Sequence, residues 1–182
     1  MVADPGGQSG ESSESERDPF GDPADAFGEL YPELRAIAAA MFNGSGGTLQ
    51  PTALVHEVFV KLHRAGRLSI NDAEHFKALA ARVMRQVMVD HARRRALARR
   101  AFTVMLDLRA AAEPEERAID LLELDEAIRR LHDRDARAAR VVDCRVFGGL
   151  TLEQTATALG LGRSTVAEDW RFARAWLAKE LA

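Results

Sequence analysis

The sequence predicts an all-α protein made of two small helical domains joined by a flexible linker. Three observations lead there. Apolar residues recur at spacings of three and four through most of the chain, and no convincing strand alternation is present. Pro is rare beyond residue 51, where long stretches are rich in Ala, Leu, Arg and Glu. The helical pattern weakens over residues 101–120, where Glu113, Pro114, Glu115 and Glu116 form an acidic stretch. A chain of 182 residues suits one domain or two small ones. The expected division is a tail at 1–25, a first domain at 26–100, a linker at 101–120 and a second domain at 121–182.

Composition narrows the class of protein. The hydrophobic share of 47% and the charged share of 29% are ordinary for a soluble globular protein. The net charge of −3 hides an asymmetry. Residues 1–25 hold seven acidic residues against Arg17, which leaves 24 basic and 21 acidic in the rest of the chain. Residues 82–108 hold seven Arg against Asp90 and Asp107, a local basic cluster of the kind nucleic acid attracts. The Gly-, Ser-, Pro- and acid-rich tail buries too little apolar surface to offset ordering, so it is expected to be disordered. Cys144 is the single cysteine, which excludes an internal disulfide and fits a reducing cytosol. It sits in the run Val141-Val142-Asp143-Cys144 and reads as a core thiol. No apolar run is long enough to span a membrane and no signal-peptide core is present, so a cytoplasmic protein is expected.

The elements follow in order. Phe27, Leu30, Leu34, Ile37 and Met41 mark a first helix from about Ala26, stopped by Asn43-Gly44-Ser45-Gly46-Gly47. Pro51-Thr52 opens a second, with Leu54, Val55, Val58, Phe59 and Leu62 as its stripe; residues 66–71 break the pattern. The third carries Phe76, Leu79, Ala80, Val83, Met84, Val87, Met88 and His91 on one face and ends in Arg93-Arg94-Arg95, with Arg99-Arg100 beyond. After the linker come Leu121, Leu124, Ile128 and Leu131 on one helix. Ala138, Val142 and Val146 lie on a helix at about 135–147, closed by Gly148-Gly149. Two more helices are predicted at about 151–159 and 163–180.

Those last two have the form of a helix-turn-helix. Thr151-Leu152-Glu153-Gln154 is a capping box. Gly160 falls where the turn needs positive φ, and Ala156 is small enough for close approach. Leu152, Leu159, Leu161 and Val166 fill the angle between the helices. The second helix then offers Arg163, Ser164, Thr165, Glu168 and Arg171, where a recognition helix meets bases and phosphates. Trp170 and Trp176 read as packing residues. The bland alternative is an ordinary helix pair with a Gly turn. For the arginine-ended helix it is a solvated surface helix with Asp90 and Arg94 paired at i,i+4; a membrane-surface helix is a third reading.

The order of these pieces resembles an extracytoplasmic-function (ECF) sigma factor of bacterial RNA polymerase, over about residues 26–180. Thr52 to Leu62 is similar to sigma region 2.2, His75 to Arg95 to regions 2.3 and 2.4, and Leu124 to Leu181 to region 4. The runs Asp90-His-Ala-Arg-Arg-Arg95 and Asp169-Trp-Arg-Phe-Ala-Arg-Ala-Trp-Leu177 resemble one ECF-like subgroup in particular. No region 1.1 or region 3 counterpart is visible. The resemblance implies core RNA polymerase and promoter DNA as partners, with the beta-prime clamp and beta flap as contacts, and admits an anti-sigma factor. It implies no cofactor, no metal and no catalytic group. Leu54, Val55, His56, Glu57, Val58 and Lys61 would face polymerase, Glu57 foremost. His75, Phe76, Arg82, Arg85, Gln86, Arg93, Arg94 and Arg95 would read and open the minus-10 element. His75 and Phe76 would stack on an unstacked base in a pocket formed in part by residues 66–75. Arg163, Ser164, Thr165, Glu168, Arg171 and Arg174 would read the minus-35 element. The linker would thread toward the RNA exit path.

This sequence departs from the family pattern at three places. Gly162 stands where a Ser usually caps the recognition helix. Ala167 and Glu168 replace a longer polar residue and an Arg, and Ala53 replaces an Asp. Rival readings remain at this stage. A helix-turn-helix regulator that binds duplex DNA without polymerase is one. A paralogue that binds polymerase but not DNA, suggested by Glu168-Asp169, is another. An enzyme is the third; His56-Glu57 lacks a second zinc ligand, and no phosphate loop or nucleophile elbow appears.

Overall fold

The computed structural model describes residues 23–42, 49–65, 72–96, 103–107 and 116–182. The acidic tail up to residue 22, the Gly-rich stop at 43–48, most of the 66–75 loop and Arg99-Arg100 lie outside the described residues. The architecture is all-α, with a short two-stranded ribbon between its halves.

In the first half, α1 (Pro23–Phe42), α2 (Pro51–Arg64) and α3 (Ala73–Ala96) pack together. Leu34 and Ala38 of α1, Leu54, Val55, Val58 and Leu62 of α2, and Phe76, Ala80, Met84, Val87 and Met88 of α3 are buried. These are three- and four-residue spacings, so each helix buries one stripe. Phe27 of α1 meets Phe59 of α2 with ring centroids 4.7 Å apart. Pro51 opens α2 where its missing N–H costs nothing, and Lys61, His63 and Arg64 sit in the last turn, favourable to the helix dipole. Asp72 caps α3 by accepting the His75 amide at 2.7 Å.

The ribbon pairs β1 (Thr103–Asp107) with β2 (Glu116–Asp120), antiparallel, Thr103 opposite Asp120 and Asp107 opposite Glu116. It falls within the span expected as linker, and residues 108–115 between the strands lie outside the described residues. Asp120 ends the ribbon and caps the next helix, accepting from the amides of Leu122 at 2.8 Å and Glu123 at 3.3 Å.

The second half comprises α4 (Leu121–Arg134), α5 (Ala136–Val142) running into a π turn (Asp143–Phe147), α6 (Leu152–Leu159) and α7 (Arg163–Glu180). The helix expected at about 135–147 is thus α-helical only in its first part. The π turn shifts the inward face, so Asp143, Cys144 and Phe147 are buried while Val146 is half-exposed.

The two halves are docked. α3 packs against α4, the π turn and α6, and one apolar cluster runs through both. Close approach depends on glycine: a Cβ on Gly148 would lie 2.6 Å from the Cys144 carbonyl oxygen and 2.9 Å from the Ala81 Cβ of α3. Ala78 of α3 adds to this seam by packing against Cys144, Leu150 and Ala158. Among the described residues no helix is long and apolar enough to cross a membrane.

Candidate nucleic-acid interface

The helix-turn-helix forms as its residues dictate. Thr151 Oγ1 accepts the Gln154 amide at 3.1 Å, and Gln154 Oε1 accepts the Thr151 amide at 2.9 Å, closing the capping box. Gly160 ends α6 at φ +62°, a left-handed conformation open to glycine without strain. Val166 and Ala156 are buried with Val141, and Leu152, Leu159, Leu161 and Trp170 pack around them. α7 therefore leaves the turn at a fixed angle with its first residues outward. Gly162 caps it without a side-chain bond.

Arg163, Ser164, Glu168 and Arg171 are exposed and Thr165 is half-exposed, so one surface of α7 gathers them. Arg163 is hydrogen-bonded to Glu153 of α6, which draws the Glu153 carboxyl below the usual glutamate range. Arg174 lies apart from this group: its guanidinium sits 5.6 Å from the Trp170 ring centroid. Arg145 approaches the same ring at 5.4 Å, and Arg134 lies 5.2 Å from the centroid of Trp176, so both tryptophans serve packing. Asp169, adjacent to Glu168 in sequence, turns inward. It accepts from Arg137 Nε at 2.6 Å and Nη2 at 2.9 Å. Only one acid of the Glu168-Asp169 pair thus lies on the exposed surface of α7. Phe172, 39% exposed beside Arg171, is a feature that periodicity did not single out.

On α3, Arg82, Gln86, Arg93 and Arg94 are exposed. The side chain of Arg95 lies outside what is described. His75 is half-buried and lines a cavity of about 410 Å³ between α3 and the α5–α6 region, together with Arg82, Arg140, Asp143 and Thr157. Phe76 is fully buried. It belongs to the apolar stripe of α3 and is not available for base stacking in this conformation. Arg94 Nε donates to the Asp90 carbonyl oxygen at 3.1 Å, while the Asp90 carboxylate is 2.8 Å from Lys61 of α2. The expected pair of Asp90 and Arg94 is therefore a side-chain to main-chain bond.

Arg85 is enclosed by acids from the second half. Its Nε lies 2.6 Å from Asp143 Oδ1, its Nη2 3.3 Å from Asp143 Oδ2, and its Nη1 2.6 Å from Asp125 Oδ1. Asp125 also receives Arg93 at 3.3 Å and Arg129 at 3.1 Å. Burial opposes the charge on Arg85, but the two carboxylates outweigh it and hold its pKa above the ordinary value. Burial likewise pushes the Asp143 carboxyl up, against the pull of Arg85. Sequence periodicity did not find Asp125, Asp143 or Asp169. Its one signal was an acid standing inside an apolar stripe, as with Asp125 between Leu124 and Ile128.

On α2, Leu54, Val55 and Val58 are buried in the core and present no surface. His56 is exposed. Glu57 Oε1 lies 2.9 Å from His91 Nε2, and Lys61 is tied to Asp90, so both face the α2–α3 groove. The outward side of α2 carries His56, His63, Arg64 and Val60, the last 41% exposed and also unforeseen.

A capped helix-turn-helix behind an arginine-bearing helix, in an all-α chain, defines a DNA-reading transcription factor. Residues 21–182 match the family model described as ECF sigma factor, and the chain belongs to that family. It is a sigma factor, and its partners are core RNA polymerase and promoter DNA. Among solved structures it is similar to the sigma factor RpoE in complex with the anti-sigma factor NepR from Bartonella quintana. Identity is 19%, with 85% of this chain and 94% of that chain covered and a TM-score of 0.39. No curated protein matches the chain significantly.

Proposed function

We propose that this chain, acting in the cytoplasm, directs core RNA polymerase to specific promoters through two DNA-reading surfaces. α7 reads the minus-35 element from the major groove through Arg163, Ser164, Thr165, Glu168 and Arg171. α3 engages the minus-10 element through His75, Arg82, Arg85, Gln86, Arg93 and Arg94. Residues 26–100 and 121–182 act as the two domains, and 101–120 as their tether. α2 meets the beta-prime clamp with His56, Val60 and the Glu57–Lys61 edge, and the second domain meets the beta flap. An anti-sigma factor is a further partner proposed on the strength of the family.

The observation that carries this reading is the rigid turn. The capping box and Gly160 aim α7 so that four polar side chains share one exposed surface while Asp169 is withdrawn. Two separated readers on one platform raise each other's effective concentration. The polymerase supplies the phosphodiester chemistry, so the factor itself needs no catalytic group. Transcription in vitro with core polymerase tests the proposal, with start sites mapped over a genomic promoter library. Discrete starts that depend on the chain support it. Tight sequence-specific duplex binding without polymerase, and no directed starts, would favour an independent regulator.

A further inference from the structure

The walls of the cavity between α3 and the α5–α6 region follow from the sequence. Asp72, His75, Leu79 and Arg82 recur at spacings of three, four and three, so they share one face at the start of α3. Thr157, Ala158 and Gly160 border the cavity from α6 and its turn, and Arg140 and Asp143 from α5 and the π turn. The side chains of Ala78 and Ala158 are short and Gly160 has none, which leaves a space of about 410 Å³. Sites for small molecules span about 300–1,000 Å³.

The lining sorts into a floor and a mouth. Cys144 and Ala158 are buried, with Ala78 and Leu159 packed against them, so the floor is apolar. Burial pushes the Cys144 thiol up to about 12, so it stays protonated and brings no charge to the floor. Arg82 and Arg140 are exposed at the mouth, one from each half of the chain, and neither makes a hydrogen bond or ion pair among the described residues. The lining acids are engaged elsewhere. Both Asp143 oxygens accept from Arg85, at 2.6 and 3.3 Å, and Asp72 Oδ1 accepts the His75 amide at 2.7 Å. Two guanidiniums thus border one concave surface with low-dielectric walls, where their fields add.

We propose that this cavity is a binding site for a small organic phosphate, a phosphate monoester on a short apolar body. Arg82 and Arg140 take the phosphate, whose oxygens match the guanidinium fork and whose charge of nearly −2 answers two cations. The apolar body lies on Ala78, Ala158 and Leu159. Binding needs neither DNA nor polymerase, so the site stands or falls independently of the promoter reading.

Isothermal titration of the full chain with phenyl phosphate tests the site, with inorganic phosphate and phenol as head and body alone. Phenyl phosphate should bind at one site, roughly tenfold tighter than either part. Arg82→Gln with Arg140→Gln changes two exposed positions and should weaken it by roughly tenfold or more. Arg35→Gln with Lys179→Gln removes the same charge at exposed positions that do not line the cavity, and should leave the affinity within about twofold. Thr157→Phe adds bulk at an exposed position of the mouth. It should abolish binding while the melting temperature moves by no more than about 3 °C, which separates a filled site from a damaged fold. Absence of saturable phenyl phosphate binding up to about 10 mM overturns the proposal. So do equal losses in the two charge-removing variants, because net charge alone would then explain them. Binding that survives Thr157→Phe places the ligand elsewhere, and inorganic phosphate binding as tightly as phenyl phosphate leaves the apolar floor without a role; either result overturns it as well.

Discussion

Arg85 Nε of α3 donates to Asp143 Oδ1 at 2.6 Å, joining residues 58 apart in sequence across the seam between the halves. If the halves stayed docked, removing the guanidinium would strand two buried carboxylates. Breaking a buried pair in that way costs about 3–5 kcal/mol. Parting the seam rehydrates them and keeps the cost below that figure. Arg85→Ala is therefore expected to uncouple the halves. Circular dichroism and tryptophan fluorescence should report non-coincident unfolding transitions, where the unsubstituted chain gives one. A single transition with an unchanged midpoint would mean the pair adds nothing to docking.

The turn before α7 makes a local prediction. Thr151→Ala removes the hydroxyl half of the capping box and should destabilise the second half by about 1 kcal/mol. Gly160→Ala meets no steric obstacle, since nothing lies within 4 Å of the added Cβ. Its cost is the left-handed backbone alone, about 1 kcal/mol. Urea unfolding checks both, and larger losses would point to contacts other than cap and turn.

Adjacent acids on α7 should behave in opposite ways. Asp169→Ala is expected to lower the melting temperature, because it deprives Arg137 of a two-bond partner and empties a buried position. Glu168→Gln should leave the melting temperature unchanged and shift the upstream sequence preference, because it removes an exposed carboxylate able to accept from a cytosine amine. Arg171→Ala should weaken upstream DNA binding by about 1–3 kcal/mol, the range of one good base contact. Footprinting of the polymerase holoenzyme over the minus-35 region, with thermal melts alongside, separates the three.

Cys144 reports on opening. Burial pushes its thiol up to about 12, and the Asp143 charge beside it adds to the rise. The folded value lies above the unfolded one. The stability this contributes is therefore complete below the ordinary thiol range and is lost as pH rises toward 12. At pH near 8 an aromatic disulfide reagent should label the folded chain far more slowly than the urea-unfolded chain. Labelling at the same rate in both states would place the thiol outside the core.

Much of this arrangement was legible in the sequence wherever the cause was local. The capping box, Gly160, the Leu121-to-Leu131 stripe and the apolar face of α3 all follow from spacing and turn chemistry within a few residues. The same stripe already contained Phe76, and its burial, not a role in base stacking, is what the periodicity of α3 implies. Leu54, Val55 and Val58 likewise belong to the core by the pattern that located α2. Features resting on long-range pairing were not legible. Arg85 reads as a DNA contact until Asp125 and Asp143 are seen around it, and Glu168-Asp169 reads as an acidic patch until Arg137 is found beneath it. The π turn was hidden because one extra residue in a helix leaves the apolar composition unchanged.

The central claim is that this chain turns core polymerase into a promoter-specific enzyme through α3 and α7. Transcription by reconstituted holoenzyme, with start sites mapped, tests it most directly. The unsubstituted chain should give discrete starts. Arg93→Ala with Arg94→Ala should reduce them and lessen their salt sensitivity, and Arg171→Ala should reduce those that depend on the upstream element. No discrete starts from any promoter, or starts indifferent to both variants at every salt concentration, would contradict it.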